Sequence, residues 1–287
     1  MIDRNLQQQW EEEGYVVVRG LFDPSRTARL RDLCFEVLGQ WRVCNPEKGD
    51  PGGGPESTVM RHLNHIGYFR KGPDGCHDRD GFRDLMHAIA DEGVLDLVRT
   101  ILMSEPMFRC TSLFFNPQEN PRDGNWHRDT QFRSTHDDEE REMILSRAGF
   151  GSGVQLQVAL VASDDVELVP RSHLRWDTDE EYRIRKADDG AHNKSNTMPN
   201  AIRVCLEPGD AVGFNAAGLH RGRYHSDRLR HTLMLTYTRA DMPVSDYFSH
   251  QPWFLEPDYL AGLDARVRIF FDKFVAQYQA EWHSAPV

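Results

Sequence analysis

The apolar residues of this chain change period once, near residue 105, and that change limits it to folds that set helices against a β core. Before it, Leu30, Leu33, Val37, Leu38 and Trp41 recur at three-and-four spacing. Asp23 is placed to cap this helix, and Pro24 takes the first helical position, where its missing N–H is not needed. Phe82, Leu85, Met86 and Ile89, then Val94, Leu95, Leu97, Val98, Ile101 and Leu102, predict one broken helix or two consecutive ones. After residue 105 strands dominate to about residue 240. Residues 107–116 read as one strand. Val154, Leu156, Val158, Leu160 and Ala162 alternate with Gln155, Gln157, Ala159 and Val161, which predicts a half-buried strand. Shorter strands are expected at 166–169, 202–206, 211–215 and 232–238, with Pro208-Gly209-Asp210 as a turn. Tyr15 to Val18, between Gly14 and Gly20, reads as an opening strand.

The connections follow from composition. Residues 45–57 are rich in Gly and Pro and predict a mobile surface loop. Residues 177–200 are polar without a period and read as an excursion from the sheet. Val267, Ile269, Phe270, Phe271, Phe274, Val275 and Tyr278 predict a C-terminal helix, within about 262–282, packed on the core. No repeat or internal boundary breaks the pattern. One domain is therefore expected over 1–287: a helical part at about 24–105, a β core at about 107–240, and the last helix. The fold class is mainly β with flanking helices.

Composition removes several functions. Apolar residues are 39% of the 287, with no run long enough to span a bilayer. The net charge of −11 works against binding a phosphate backbone, so neither nucleic acid nor membrane is an expected partner. The start of the chain lacks a basic segment followed by an apolar stretch, and a cytoplasmic location is expected. Cys34, Cys44, Cys76, Cys110 and Cys205 are scattered, with no CxxC pair. They argue against a disulfide framework and a thiolate zinc site, and read as reduced, mostly buried thiols. Histidine, at 13 residues, is where chemistry is to be sought.

In Trp126-His127-Arg128-Asp129-Thr130 an extended backbone points His127 and Asp129 to one face and Arg128 to the other. An imidazole and a carboxylate on one face are two thirds of the facial triad that holds non-heme iron(II). His-x-Asp alone is a weak signal. Farther on, Glu207-Pro208-Gly209-Asp210 turns into a short apolar strand that is expected to deliver His220 at its end. Arg230 opens the next strand; if that strand is antiparallel to the one carrying His220, its start lies near the metal. Its planar fork suits a carboxylate.

Together with Gly14-Tyr15-Val16-Val17-Val18 and the Val169-Pro170-x-Ser172-His173 stretch, these residues make residues 10 to 240 resemble the phytanoyl-CoA dioxygenase family of iron(II)- and 2-oxoglutarate-dependent oxygenases. The resemblance implies a double-stranded β-helix (jelly-roll, cupin-like) core. It implies iron bound by His127, Asp129 and His220, the distal carboxylate of 2-oxoglutarate on Arg230, and dioxygen as the oxidant. Asn116 and Thr130, near the first ligands, are candidates for further cosubstrate contacts. The chain departs from the family in Ser163 to Val169, where a Gly-rich segment is usual, and at Gly222, where a hydroxyl residue is common. The carboxylate of Asp129 favours oxygenation over halogenation, for which a small residue commonly replaces it.

Other residues have plainer readings. His62-x-x-His65 lacks a third ligand, His136 belongs to an acidic solvated run, and His173 shapes a loop behind the site. His225 and His231 compete with His220 as ligands, but only His220 follows the turn and strand. Arg61, His65, Tyr68, Phe69, Phe132, Arg133 and Trp176 are candidates for a substrate pocket, under variable loops at 45–80 and 174–200. Arg221, Arg223 and Arg228 add local positive charge that would attract an anionic cosubstrate. The expected activity is hydroxylation of a small molecule, in secondary-metabolite tailoring, by a monomer or homodimer. The alternatives are a hydrolase or isomerase using a redox-inactive metal and a non-catalytic binding protein on the same fold.

Overall fold

The computed structural model describes residues 4–48, 50–71, 76–146 and 153–282. Helix α1 (Arg4–Glu13) leads into β1 (Tyr15–Val18), and Asp23 caps α2 (Pro24–Cys44) by accepting the Arg26 N–H at 2.9 Å. Short strands β2 (Val59–Arg61), β3 (Arg70–Lys71) and β4 (Cys76–His77) precede α3 (Arg79–Ile89) and α4 (Glu92–Leu102). The apolar run at 82–102 is thus two helices, because the Asp91 carboxylate accepts from the Val94 N–H and starts a new one. Then come β5 (Pro106–Phe115), α5 (Asp137–Ser146), β6 (Val154–Ala159) and β7 (Ser163–Leu168). Helices α6 (Asp179–Arg185) and α7 (Ala187–Gly190) are followed by β8 (Ile202–Leu206), β9 (Ala211–Phe214), β10 (His220–Gly222), β11 (His231–Arg239) and α8 (Ala265–Tyr278).

Six strands form a major antiparallel sheet in the order β1-β9-β6-β11-β5-β2, and β10-β7-β8 form a minor one. From β6 onward the chain passes between them, β6 to β7, β8 to β9, β9 to β10 and β10 to β11, which makes a jelly-roll. The expected strand at 154–162 is cut at Ala159 by the first of these crossings, and β7 starts three residues before the expected 166. Gly209 turns the chain at the second with φ 93°; a Cβ there would lie 2.5 Å from the Phe22 carbonyl.

Alternation sorts the major sheet into two faces. Leu113, Leu156, Val158, Leu233 and Leu235, all fully buried, join Phe82, Leu85, Val98, Phe271 and Phe274 of α3, α4 and α8 in one apolar core. Burying each such side chain contributes about 1.5–3 kcal/mol. The Tyr237 hydroxyl donates to the Ile89 carbonyl at 2.6 Å and ties β11 to the end of α3. The other face looks toward the minor sheet. Between the sheets at one end, Val166, Leu168, Val204, Leu206, Val212 and Phe214 form a second cluster.

Several expectations change. The strand at 154–159 is buried on both faces except at Gln155, rather than half-buried, since one side meets the helical core and the other looks toward the minor sheet. The excursion at 177–200 holds α6, whose N-terminus is a capping box in which Thr178 and Glu181 each bond the other's backbone N–H, and whose Ile184 and Arg185 are buried. The acidic run after exposed His136 is α5, with Glu140 fully buried. The loop at 45–57, apart from residue 49, which lies outside the described residues, is anchored: buried Asp50 accepts from Arg42 at 2.5 and 3.0 Å and from Gln118 at 2.7 Å. All five cysteines are free, but only Cys34 and Cys110 are buried. Among the described residues no helix is long and apolar enough to cross a membrane.

Candidate active site

His127 lies outside the regular strands, yet it pairs with the first residue of β10 in an antiparallel bridge. The His127 N–H donates to the His220 carbonyl at 3.1 Å, and the His220 N–H donates back at 3.0 Å. Directly opposed residues project to the same side, so this pair of hydrogen bonds sets the imidazoles together, ring centroids 4.3 Å apart. His220 therefore begins a minor-sheet strand; it does not end the apolar strand β9, which stops at Phe214. Asp129 follows two residues after His127, with its N–H on the Ala216 carbonyl at 2.9 Å. Its Oδ1 lies 3.5 Å from His127 Nε2 and 3.6 Å from His220 Nε2. His127, Asp129 and His220 can each offer one ligand atom with all three within 4.8 Å of one another.

Their partners prepare them for a cation. His127 Nδ1 sits 2.7 Å from the Asn125 carbonyl and His220 Nδ1 sits 2.9 Å from the Gly218 carbonyl. A carbonyl only accepts, so each Nδ1 carries a proton and each Nε2 is the ring nitrogen turned to the centre. Gln155 donates to Asp129 Oδ2 at 2.5 Å, leaving Oδ1 for the centre. Burial works to raise the Asp129 carboxyl, but its bond to His127, the charge of His220 and the Gln155 amide hold it down at about 2. Burial, reinforced by His127, pushes His220 down to about 4, so its neutral form prevails at neutral pH. For His127 burial acts downward, and the adjacent Asp129 outweighs it and raises the ring.

Arg128, as an extended backbone requires, points the other way and is fully buried. Its guanidinium donates to Asp177 at 2.8 Å and to the Ser172 and Ala217 carbonyls at 2.7 and 2.6 Å. Arg185 of α6 binds the other oxygen of Asp177 at 2.7 Å and Glu140 of α5 at 2.8 Å. The excursion thus clamps the metal-facing segment from behind. Only the charged residue between two ligands hinted at this.

Arg230 is 1% exposed, between the rings of Phe114 and Tyr224 at 5.2 and 4.4 Å. Nη1 donates to the Arg223 carbonyl at 2.8 Å, whereas Nε makes no hydrogen bond and faces Asp165 Oδ2 at 4.0 Å. The departure at Gly222 lies against this arginine: a Cβ there would be 2.7 Å from Arg230 Nη1, so a larger residue requires the guanidinium to shift. Strand β11 pairs with β5 and β6, not with β10, so Arg230 comes to the site from the opposite sheet and not from an antiparallel neighbour of His220.

A cavity of about 560 Å³ adjoins the three ligands. Arg61, Phe132, Arg133 and Arg230 line it, together with Tyr224, Gln155, Gln157, Met234, Asp246, Tyr247 and Phe248. The last three lie past the expected β core, where no motif marked them. His65 and Tyr68 instead line a separate cavity of about 420 Å³ beside Trp41, because the turn at Ile66–Tyr68 directs them toward α2. Phe69 is a core residue against Phe82. Trp176 packs under Arg141 and Arg185, away from the cavity. Thr130 turns its hydroxyl to Glu140 at 3.1 Å, and Asn116 braces the turn before β11 through the Arg228 carbonyl and the His225 N–H. Neither lines the cavity.

The competing histidines are engaged elsewhere. His225 binds Asp165 at 2.6 Å, and Arg228 lies across Asp164 and Asp165, filling the other compact acid–histidine group with a cation. His231 stacks on Phe35 at 4.1 Å. His62 sits among Tyr247, Phe248 and Trp253, and His173 reaches the Glu11 carbonyl at 3.2 Å, holding α1 near the minor sheet. Arg221, Arg223 and Arg228 are each ion-paired, to Glu167, to Glu167 and Asp123, and to Asp164, so they add no surplus positive field.

Comparison with known proteins agrees with this geometry. No curated protein matches the chain. AviO1 from Streptomyces viridochromogenes Tue57 superposes with a TM-score of 0.58 at 19% identity, covering 85% of this chain and 98% of that one. EctD from S. alaskensis with bound Fe gives 0.59 at 17%, covering 88% and 83%. The non-heme alpha-ketoglutarate-dependent carbocyclase SnoK from nogalamycin biosynthesis gives 0.56 at 15%, covering 83% and 84%. At such identities the likeness establishes the fold. The model of the phytanoyl-CoA dioxygenase (PhyH) family matches residues 10–232, most of the chain and all of His127, Asp129, His220 and Arg230, and the chain belongs to that family.

Proposed function

We propose that this chain is an iron(II)- and 2-oxoglutarate-dependent oxygenase that oxidises a C–H bond of a small organic molecule. The observation that carries this reading is the convergence of His127 Nε2, Asp129 Oδ1 and His220 Nε2 beside an open cavity. Two imidazoles and one carboxylate are a donor set that would hold ferrous iron. The Arg230 guanidinium lines the same cavity with an Nε that makes no hydrogen bond, which suits it to grip a carboxylate. Iron with 2-oxoglutarate would supply the oxidising power, using dioxygen and releasing succinate and carbon dioxide.

The chain's own residues orient and enclose. Gln155 keeps Asp129 turned with one oxygen toward the centre, the Asn125 and Gly218 carbonyls fix both ring tautomers, and Arg128 holds the backbone beneath them. Phe114, Phe214, Met234 and Phe248 give the cavity apolar walls that exclude water from the reacting carbon. Hydroxylation is the outcome when nothing else competes for the activated carbon. Fold neighbours named as an epimerase and a carbocyclase, both from nogalamycin biosynthesis, support a role in secondary-metabolite tailoring. Five free thiols are in keeping with a cytoplasmic enzyme.

Anaerobic titration of the purified chain with Fe(II) and 2-oxoglutarate tests the proposal. A weak visible charge-transfer band is expected, and admission of oxygen should then yield succinate. A chain that forms neither is not this enzyme, and substrate conversion without oxygen would favour a hydrolase or isomerase.

A further inference from the structure

Four arginines line the cavity beside the ligands: Arg61, Arg133, Arg221 and Arg230. Arg133 is paired with Asp246, and Arg221 with Glu167 at 2.5 Å. Arg230 is the residue proposed for the cosubstrate. Arg61 differs from all three. Among the described residues no carboxylate lies within ion-pair distance of it, and its guanidinium rests over the ring of Phe248 at 5.5 Å.

Its direction is set by the sheet. Strand β2 pairs with β5 so that Val59 opposes Phe114 and Arg61 opposes Ser112. Val59, Phe114 and Arg61 all line the cavity, and the same cross-strand row continues from Ser112 to Met234 and Gln157. Gln157 Oε1 is buried without a partner. The neighbouring residue on that face of β6, Gln155, holds Asp129. From β2 to β6 is three strand spacings, about 14 Å at the backbone and less once the arginine side chain extends. Exposed Phe132 stands beside His127, and exposed Tyr247 adjoins Phe248 at the Arg61 end.

Resting on the function proposed above, we infer that Arg61 is the specificity-determining anion anchor of the substrate site. The substrate is an organic acid, carboxylate or phosphate monoester, whose apolar body lies along Phe248, Phe114 and Met234. Its carbon to be oxidised is remote from the charged group. The guanidinium fork accepts either anion through paired charge-assisted hydrogen bonds, and the aromatic walls accept the body.

The enzyme loaded anaerobically with Fe(II) and 2-oxoglutarate is titrated calorimetrically with naphthoate, naphthyl phosphate, neutral naphthalenemethanol and naphthylmethylammonium. At least one anion should bind roughly tenfold or more tighter than the alcohol, as a charged hydrogen bond warrants, and the ammonium most weakly. The stronger anion tells carboxylate from phosphate. Arg61→Gln should erase the preference, Arg61→Lys should keep part of it, and the affinity for 2-oxoglutarate should stay within about twofold, since Arg230 is untouched. Equal binding of anion and alcohol, a preference that survives Arg61→Gln, or no binding of any probe overturns the inference. Repeating the titrations without iron and cosubstrate keeps the two readings apart. Failure to form the Fe(II)/2-oxoglutarate band sinks the oxygenase, while the contrast between wild type and Arg61→Gln still decides the anchor.

Discussion

The two faces of the major sheet share every strand and differ in everything else. Toward the helices stand Leu113, Leu156, Val158, Leu233 and Leu235, sealed from solvent and from any polar partner. Toward the minor sheet stand Ser112, Gln157, Thr232 and Thr236, each with a buried oxygen that finds no hydrogen bond in the protein. Such atoms cost about 1–3 kcal/mol apiece when left unpaired. Of the four, Gln157 opens onto the cavity beside the His–Asp–His group. Period-two alternation thus divides the labour: one set of side chains holds the fold and the next residue along serves the site.

Substitutions on the two sides should separate cleanly. The largest effect is expected for His220→Ala. Loss even of a residue that only supports a metal ligand lowers metal affinity about 10–100-fold, so loss of the ligand itself should exceed that and remove oxygen-dependent succinate formation. Its melting temperature without metal should hardly move. On the opposite face Leu233→Ala should lower stability by about 2–5 kcal/mol in denaturant melts, while the folded fraction keeps its affinity for Fe(II) and 2-oxoglutarate. A His220→Ala protein that unfolds, or a Leu233→Ala protein that loses cosubstrate binding at full stability, would break the division.

Gly222→Ala sharpens it within the site. The new methyl group would press on Arg230 Nη1, which must then swing away or drag β10 with it. The KM for 2-oxoglutarate should rise about tenfold with a smaller change in kcat, the pattern of a lost binding contact. Titration with Fe(II) alone should be unaltered, because His127, Asp129 and His220 remain in place. An unchanged KM would mean that the carboxylate does not rest on Arg230.

The strands of the core were legible because alternation and a Pro-Gly-Asp turn are local signals; β8 runs over the residues expected and β9 ends one short. What was not legible depended on partners distant in sequence. Helix α1, with Leu6 and Trp10 as its apolar residues, has too narrow a stripe to announce itself, although Trp10 is buried in the core. His65 and Tyr68 follow Arg61 closely, but one turn of chain sends them to another cavity. Thr130 follows Asp129, yet the single turn at Asp129–Phe132 points its hydroxyl to α5. Asp246, Tyr247 and Phe248 belong to no periodic element and reach the cavity only through tertiary packing.

The excursion between β7 and β8 belongs to neither face, and it should show the smallest effect. Glu181 closes the capping box of α6 and pairs with Arg175 at 2.6 Å. Burial acts to raise its carboxyl, but Arg175 and the Thr178 N–H outweigh burial and hold it below the ordinary value of 4.5. A carboxyl lowered by folding stabilises the protein above its unfolded pKa, and that contribution fades as the pH falls through the folded one. Glu181→Gln should therefore cost under about 1 kcal/mol at neutral pH, since Arg175 is partly exposed and screened. The gap from wild type, read in urea melts, should narrow as the pH is taken below 4.5. Asp177 still grips Arg128 in this variant, so Fe(II) affinity should not change. If Fe(II) affinity falls along with stability, the clamp behind His127 depends on α6 as a whole and not on Asp177 alone.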